Sequence, residues 1–290
     1  MAIRVSEDEI PIAVTTVDDP AAAHVARLTV YPVKGLDCEA RDRVGLTPHG
    51  TLAGDREFAL FDDDGRPFNG KRTDAVHRLR TRYDPVTGEL AVRREGEPVA
   101  AGRTFDLEAD RAAAEAWFGE RFGASVTLRR DASAGFPDRP DAGPSVVSTA
   151  TLEAIAGWFD GLTLDGVRRR LRANVEVGGV PAFWEDRFVG AGAPTFEVVA
   201  GDGADVDRVR FEGVKPCGRC VVPTRDPDTG EPTPGFRERF VERRAASYPD
   251  WADRAAFEHD YTAMLIARVP EADRGGVLRV GDAVRVLDGS

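Results

Sequence analysis

Cysteine, lysine and long apolar runs are all scarce in this chain. Three cysteines in 290 residues, Cys38, Cys217 and Cys220, exclude the disulfide framework of a small secreted domain. They are also too few for a four-cysteine iron–sulfur cluster, so none is expected here. The four histidines stand at positions 24, 49, 77 and 259, with none of the short spacings of a His metal motif. No apolar run approaches the roughly 18 residues of a membrane span. The N-terminus, MAIRVSEDEIPIAVTTVDDP, lacks a basic region followed by an apolar one, so no secretory signal is expected and the location read from it is cytoplasmic. Basic charge is short too: 39 Lys and Arg against 50 Asp and Glu leave a net charge of −11. A general nucleic-acid binder needs a basic face to release phosphate counterions, and this balance argues against one.

Among the basic residues only Lys34, Lys71 and Lys215 are lysine; the other 36 are arginine. Asp-rich, Lys-poor composition is that of a halophilic protein, because carboxylates hold water and cations where long ammonium stems expose apolar surface. A GC-rich genome gives the same Arg-for-Lys bias. At molar salt the Debye length falls to about 3 Å, so a charged site would then act by direct contact rather than by steering.

What is present is enough apolar residue, 42%, for a folded core, and a length that suggests about two domains. Residues 1–24 read as an N-terminal arm. From Ala26 onward short strands succeed one another: ARLTVYPV, RDRVGLTP, then REFALFDDDGRPF and LRTRYDPVTGELAVRRE with turn residues between apolar runs. Turns every ten or so residues predict a small β-barrel or sandwich. RAAAEAWFGERF (111–122) reads as a helix. The Pro/Gly/Asp-rich FPDRPDAGP (136–144) marks the boundary between domains of 25–140 and 141–290. Beyond it, Ser148 caps an apolar helix, strands are expected near 173–178, 196–200 and 206–211, two helical stretches between 236 and 258, and three strands at the end.

Two signals fail on inspection. Gly65-Arg-Pro-Phe-Asn-Gly70-Lys71-Arg72 nearly spells a phosphate-binding P-loop, but Arg72 replaces the hydroxyl residue that would hold Mg²⁺, and an ordinary hairpin loop is the better reading. Asp62-Asp63-Asp64 lacks the EF-hand ligand pattern and reads as a solvated turn.

Four signals survive. The strongest is Lys215-Pro-Cys217-Gly-Arg219-Cys220-Val-Val-Pro-Thr-Arg-Asp226-Pro-Asp-Thr-Gly230. Its Cys-x-x-Cys is open to four readings: half a zinc site, a redox dithiol, a thiolate ligand to a soft metal with Arg219 favouring the anion, or two half-buried structural thiols. The others are Tyr31-Pro-Val-Lys34-Gly35 at the end of the first strand, Gly54-Asp55-Arg56, and the arginine-dense Arg168-Arg-Arg-Leu-Arg172-Ala-Asn174. Each arginine or lysine there reads either as an anion contact or as a solvated, carboxylate-paired charge.

Taken in order, YPVKG, GDREF, LRANVEV, CGRCVVPTRDPDTG and VLRVGDAVRVL resemble the MOSC superfamily in its two-domain form, over roughly residues 25–290. The resemblance implies an α+β, β-rich chain: an N-terminal β-barrel-like domain followed by a MOSC β-barrel domain with a few helices. It is similar to the amidoxime-reducing proteins, and so implies a molybdenum cofactor (Mo-molybdopterin) with Cys220 as the metal's thiolate ligand and catalytic residue. Lys34, Arg56, Arg172, Asn174, Arg219 and Cys220 match cofactor-binding positions. Gly35 stands where the family often has Ser, Ala173 where it has Pro, and Ala142-Gly143-Pro144 where relatives place small hydroxyl residues. The activity implied is reduction of N-hydroxylated or related N-oxygenated compounds, with electrons from a separate ferredoxin-like, cytochrome or flavoprotein donor. The alternative is a metal-free sulfur carrier holding a persulfide on Cys217 or Cys220.

Overall fold

The computed structural model describes residues 23–139, 142–200 and 207–287. Nearly all of the expected N-terminal arm therefore lies outside the described residues, as does the middle of the 136–144 boundary segment.

In chain order the strands and helices begin with β1 (His24–Val30), β2 (Glu39–Arg41) and β3 (Arg43–Gly45). A smaller lobe comes next: β4 (Phe58–Phe61), β5 (Leu79–Asp84), β6 (Glu89–Arg94), β7 (Arg103–Asp106), α1 (Arg111–Phe122) and β8 (Thr127–Arg130). In it β4 pairs with β8, and β5-β6-β7 form an antiparallel sheet. Their apolar faces and α1 enclose one core that includes Phe58, Leu60, Leu90 and Phe118.

The second half contributes β9 (Ser145–Ser148), α2 (Thr149–Ala156), α3 (Leu164–Leu171), β10 (Val175–Gly178), β11 (Thr195–Ala200), β12 (Asp207–Gly218), α4 (Phe236–Ala245), β13 (Thr262–Arg268), β14 (Val277–Arg279) and β15 (Ala283–Leu287). Six of these strands and β1 close a seven-stranded barrel in the order β10-β9-β13-β12-β11-β15-β1, with β1 returning to β10. Strand pairing thus crosses the sequence boundary near 140: β1 shuts the barrel of the second half, and β3 pairs with β14. Val25, Leu28, Phe196 and Phe211 fill the barrel, the last two rings stacked 5.0 Å apart.

One connection positions the site. β9 and β10 are parallel, and a parallel pair needs a long crossover, which α2 and α3 supply. Parallel strands start at the same end, so Ser145 and Asn174, each at or just before its strand's first residue, are neighbours. β1 runs antiparallel to β10, which brings the end of β1, and Tyr31 and Lys34 beyond it, to that same end.

Ser148 caps α2 as expected, its hydroxyl accepting from Thr151 N. The strand expected from 173 begins at Val175, because the arginine cluster before it is helical: Leu164, Val167 and Leu171 share a face at helical spacing, and Thr163 caps the helix through Gly166 N. Between 236 and 258 only α4 is a full helix. Pro249 interrupts the second expected stretch, leaving a three-residue 3₁₀ turn, Arg254–Ala256. No described helix is long and apolar enough to cross a membrane.

Candidate functional site

Between the smaller lobe and the barrel lies a cavity of about 520 Å³. Its wall takes in all six residues singled out by sequence: Lys34, Arg56, Arg172, Asn174, Arg219 and Cys220. Eight Lys and Arg side chains line it against three carboxylates, Asp37, Asp138 and Asp165. In a chain of charge −11 this reversal is local, and it suits an anionic ligand.

Three of the four non-glycine residues with positive φ among the described residues line this cavity: Arg56 (φ 54°), Arg172 (φ 61°) and Met264 (φ 75°). A left-handed backbone costs an L-residue about 1–2 kcal/mol, and such strain concentrates where a side chain must be aimed rather than merely packed. Arg172 is the C-cap of α3, its N–H bonding the Arg168 carbonyl at 2.8 Å. Its guanidinium lies 4.0 Å from the centre of the Tyr31 ring and donates to the Leu36 carbonyl at 2.7 Å. Arg56 lies 4.9 Å from the same ring and pairs with Asp55. Tyr31 is therefore a buried platform for two cations, and burial keeps its phenol well above the usual range. Burial lowers the Arg172 pKa; at Arg56 burial works in the same direction, but Asp55 and Tyr31 outweigh it and the net shift is upward.

Lys34, 7% exposed, donates to the Phe136 carbonyl at 2.7 Å and to Asp138 at 2.5 Å. Lys71 bonds the other oxygen of the same carboxylate. Burial pulls the Lys34 pKa down against Asp138; the two ammoniums overcome burial at Asp138 and hold that carboxylate well below its ordinary range. Gly35 has φ 89°, and a Cβ there would sit 3.1 Å from Asn69 Cα and the Phe68 carbonyl. Glycine at this position answers a backbone requirement.

Protein groups take three of the four hydrogen-bonding positions of the Asn174 side chain. Its Oδ1 accepts from Ser145 N (3.2 Å) and Ser145 Oγ (3.1 Å), and its Nδ2 donates to the Thr29 carbonyl at 3.1 Å. It laces β9, β10 and β1 together at the cavity wall.

The cysteine segment ends β12. Pairing with β13 shifts register between Pro216 and Gly218, and such a bulge re-aims the side chains around it. Cys217 is 2% exposed while Cys220 is half-buried, and both line the cavity. Arg219 donates through Nη1 to Cys217 Sγ at 3.0 Å and through Nη2 to the Leu171 carbonyl at 2.8 Å. The guanidinium expected to favour a thiolate thus rests on Cys217, not on the candidate ligand. The Asp226–Gly230 loop is an Asx turn, with Asp226 Oδ1 accepting from Asp228 N and Thr229 N at 2.9 Å. Asp228 bridges Arg80 of the smaller lobe and Arg169 of α3, so this loop spans both sides of the cavity.

The rest of the arginine cluster divides. Arg168 forks onto Glu176, Arg169 onto Asp228, and Arg170 is buried against the Pro223 carbonyl. Only Arg172 keeps its stacked position at Tyr31. Among the described residues no group of three or more His, Cys, Asp or Glu could hold a metal ion.

Sequence reasoning missed several lining residues. Lys71 falls within the failed P-loop, although lysine scarcity marks it as much as it marks Lys34. Cys38 completes a set in which all three thiols of the chain face one cavity. His77 also lines it; burial and then Arg172 and Arg225 lower its pKa, and its Nε2 is buried against Gly70. A Cβ on Gly70 would lie 2.5 Å from that atom, so only glycine leaves room for the ring. Neither Cys38 nor His77 stands in a motif.

Residues 22–129 match the family model of the MOSC N-terminal beta barrel domain, and residues 140–285 match that of the MOSC domain. A search of curated proteins finds no match. With half of its length in the second of these domains and most of the rest in the first, the chain belongs to the MOSC family in its two-domain form.

Proposed function

We propose that this protein is a molybdenum-cofactor-binding oxidoreductase that reduces N-hydroxylated or related N-oxygenated compounds with electrons from a separate donor protein. One observation carries this reading: a half-buried thiol, Cys220, opens on the same cavity as eight cationic side chains in a strongly acidic chain. The donor set fits a pterin bearing a dithiolene and a phosphate. A single thiolate is a soft ligand to molybdenum, and fixed arginine and lysine donors match phosphate and carbonyl oxygens. The bound cofactor would supply a two-electron couple and accept the substrate's oxygen atom.

This chain's residues have the remaining tasks. Arg56 and Arg172, set on Tyr31, hold anionic or carbonyl edges without having to order themselves on binding. Lys34 and Lys71 offer two ammoniums to an anion that replaces Asp138. Asn174 holds the strand starts in register. The overall conversion, R–NHOH + 2 H⁺ + 2 e⁻ → R–NH₂ + H₂O, needs an external two-electron source, which is the role of the donor protein.

The test is purification from a host competent to make the cofactor, then metal analysis, pterin analysis and an N-hydroxyamidine reduction assay with a chemical electron donor. Stoichiometric molybdenum and pterin with turnover support the proposal. Sulfane sulfur on cysteine with no metal would replace it by the sulfur-carrier reading.

A further inference from the structure

Cys217 is left without a task by the proposed chemistry, since one thiolate suffices for the metal. Its surroundings give it one. The side chain is 2% exposed, near the end of β12 at the cavity wall. Its sulfur accepts from Arg219 Nη1 at 3.0 Å, and its own S–H has only the Gly218 carbonyl, at 4.0 Å. Arg219 is fixed from three directions: its main-chain N–H bonds the Tyr261 carbonyl at 2.8 Å, Nη2 bonds the Leu171 carbonyl at 2.8 Å, and Nη1 rests on the sulfur. Leu171 is the last residue of α3, immediately before Arg172. The guanidinium is therefore a bracket between the cysteine segment and the helix end that presents Arg172, with its Nε buried and unpartnered.

We infer that Cys217 is a positioning residue: its sulfur is the acceptor that holds Arg219 across the gap between Cys220 and Arg172. This rests on the proposed cofactor role of the cavity, which it deepens by dividing the Cys-x-x-Cys pair into one ligand and one support. The division differs from a redox dithiol, in which both sulfurs change oxidation state together, and from a shared metal site, in which both bind. What position 217 requires is a hydrogen-bond acceptor of small volume, not a sulfur as such.

The experiment compares Cys217→Ser with Cys217→Val. Serine keeps an acceptor; valine has none and is larger than cysteine by about one methyl group, which the thermal melts below control for. In protein from a cofactor-competent host, Cys217→Ser retains pterin to within about twofold of wild type, whereas Cys217→Val loses roughly three- to tenfold in retention, the worth of one hydrogen bond. In an Arg219→Leu background the valine substitution has no further effect. A second readout needs no cofactor. In the cofactor-free protein, ¹⁵N spectra show slowed exchange of the Arg219 Nη protons in wild type and Cys217→Ser, and fast exchange in Cys217→Val, with thermal melts confirming that each variant is folded. Equal loss of pterin in the serine and valine variants overturns the inference in favour of a sulfur-specific role, and unchanged Arg219 exchange in the valine variant overturns it outright. A wild type that holds no pterin but shows the exchange pattern removes the proposed function while leaving the bracket in place.

Discussion

Glu185 makes stability fall as pH rises through neutrality, and the size of the effect comes from its surroundings. The residue is 1% exposed in a 3₁₀ turn, Trp184–Phe188, beneath the α2 cap. Its Oε2 accepts from Ser148 N and Thr151 Oγ1, each at 3.2 Å, while Oε1 has no partner. The adjacent Asp186 is paired with the fully buried Arg244 at 2.5 Å. Burial, then the Asp186 charge, push the Glu185 carboxyl from 4.5 up to about 7. Between those values the folded state holds a proton that the unfolded chain has released. Stability therefore declines across that window, and the full cost of roughly 3 kcal/mol is reached above it. Glu185→Gln supplies the neutral form at every pH. It is expected to be about 1–2 kcal/mol more stable than wild type near pH 8, the shortfall reflecting one extra amide N–H to satisfy, and no more stable near pH 4. Urea denaturation of both proteins at a series of pH values, at one salt concentration, measures the difference, and groups common to both cancel. A difference that stays constant from acid to alkaline pH would refute the reasoning, because it would mean that Glu185 titrates alike folded and unfolded.

Arg172→Ala and Lys34→Ala are each expected to lower pterin retention by about one to two decades, the worth of a charge-assisted hydrogen bond, while the cofactor-free proteins stay folded and lose only about 1 kcal/mol with the Leu36, Phe136 and Asp138 contacts; full pterin occupancy in both would remove them from the binding set. Asp138→Asn leaves Lys34 and Lys71 without their shared carboxylate, so the cofactor-free protein should lose about 1 kcal/mol and recover it on addition of inorganic phosphate. A melting curve of that variant indifferent to phosphate would count against a lysine-pair anion site. Gly70→Ala drives a methyl into the space of the His77 ring, 2.5 Å from Nε2, and should destabilise the protein in the presence of His77 but much less in a His77→Ala background, by thermal melt of the double-mutant cycle.

The readable parts of this molecule were those where one residue type has one use. The cysteine segment with its Asp-Pro-Asp-Thr-Gly turn, the lysine after the first strand and the Arg-x-Asn before β10 all carry their chemistry in adjacent residues, and the cavity wall contains each of them. β1 was visible as a strand, but its partners were not: closing the barrel depends on pairing His24–Leu28 with residues some 150 positions away, which alternation of apolar residues does not encode. α3 was hidden by its composition, since Gly166 and three consecutive arginines look like a loop until Leu164, Val167 and Leu171 are seen to share a face. The same ambiguity covered the cluster's function. Four arginines in five residues are chemically alike in sequence, and only the helix, with its left-handed cap at Arg172, separates the three held by Glu176, Asp228 and the Pro223 carbonyl from the one laid on Tyr31. His77 and Cys38 reach the site through tertiary contacts alone.

The central claim is that Cys220 is the protein's thiolate ligand to a pterin-bound molybdenum while the cations hold the pterin. Molybdenum and pterin measured together in wild type and Cys220→Ser, both from a cofactor-competent host, test it most directly. The account predicts stoichiometric molybdenum and pterin in the wild type, and in the variant abolished turnover with molybdenum lost to a greater extent than pterin, because the anion contacts remain. Cys220→Ser protein that keeps wild-type molybdenum and activity, or wild-type protein that carries sulfane sulfur and no metal, would contradict it.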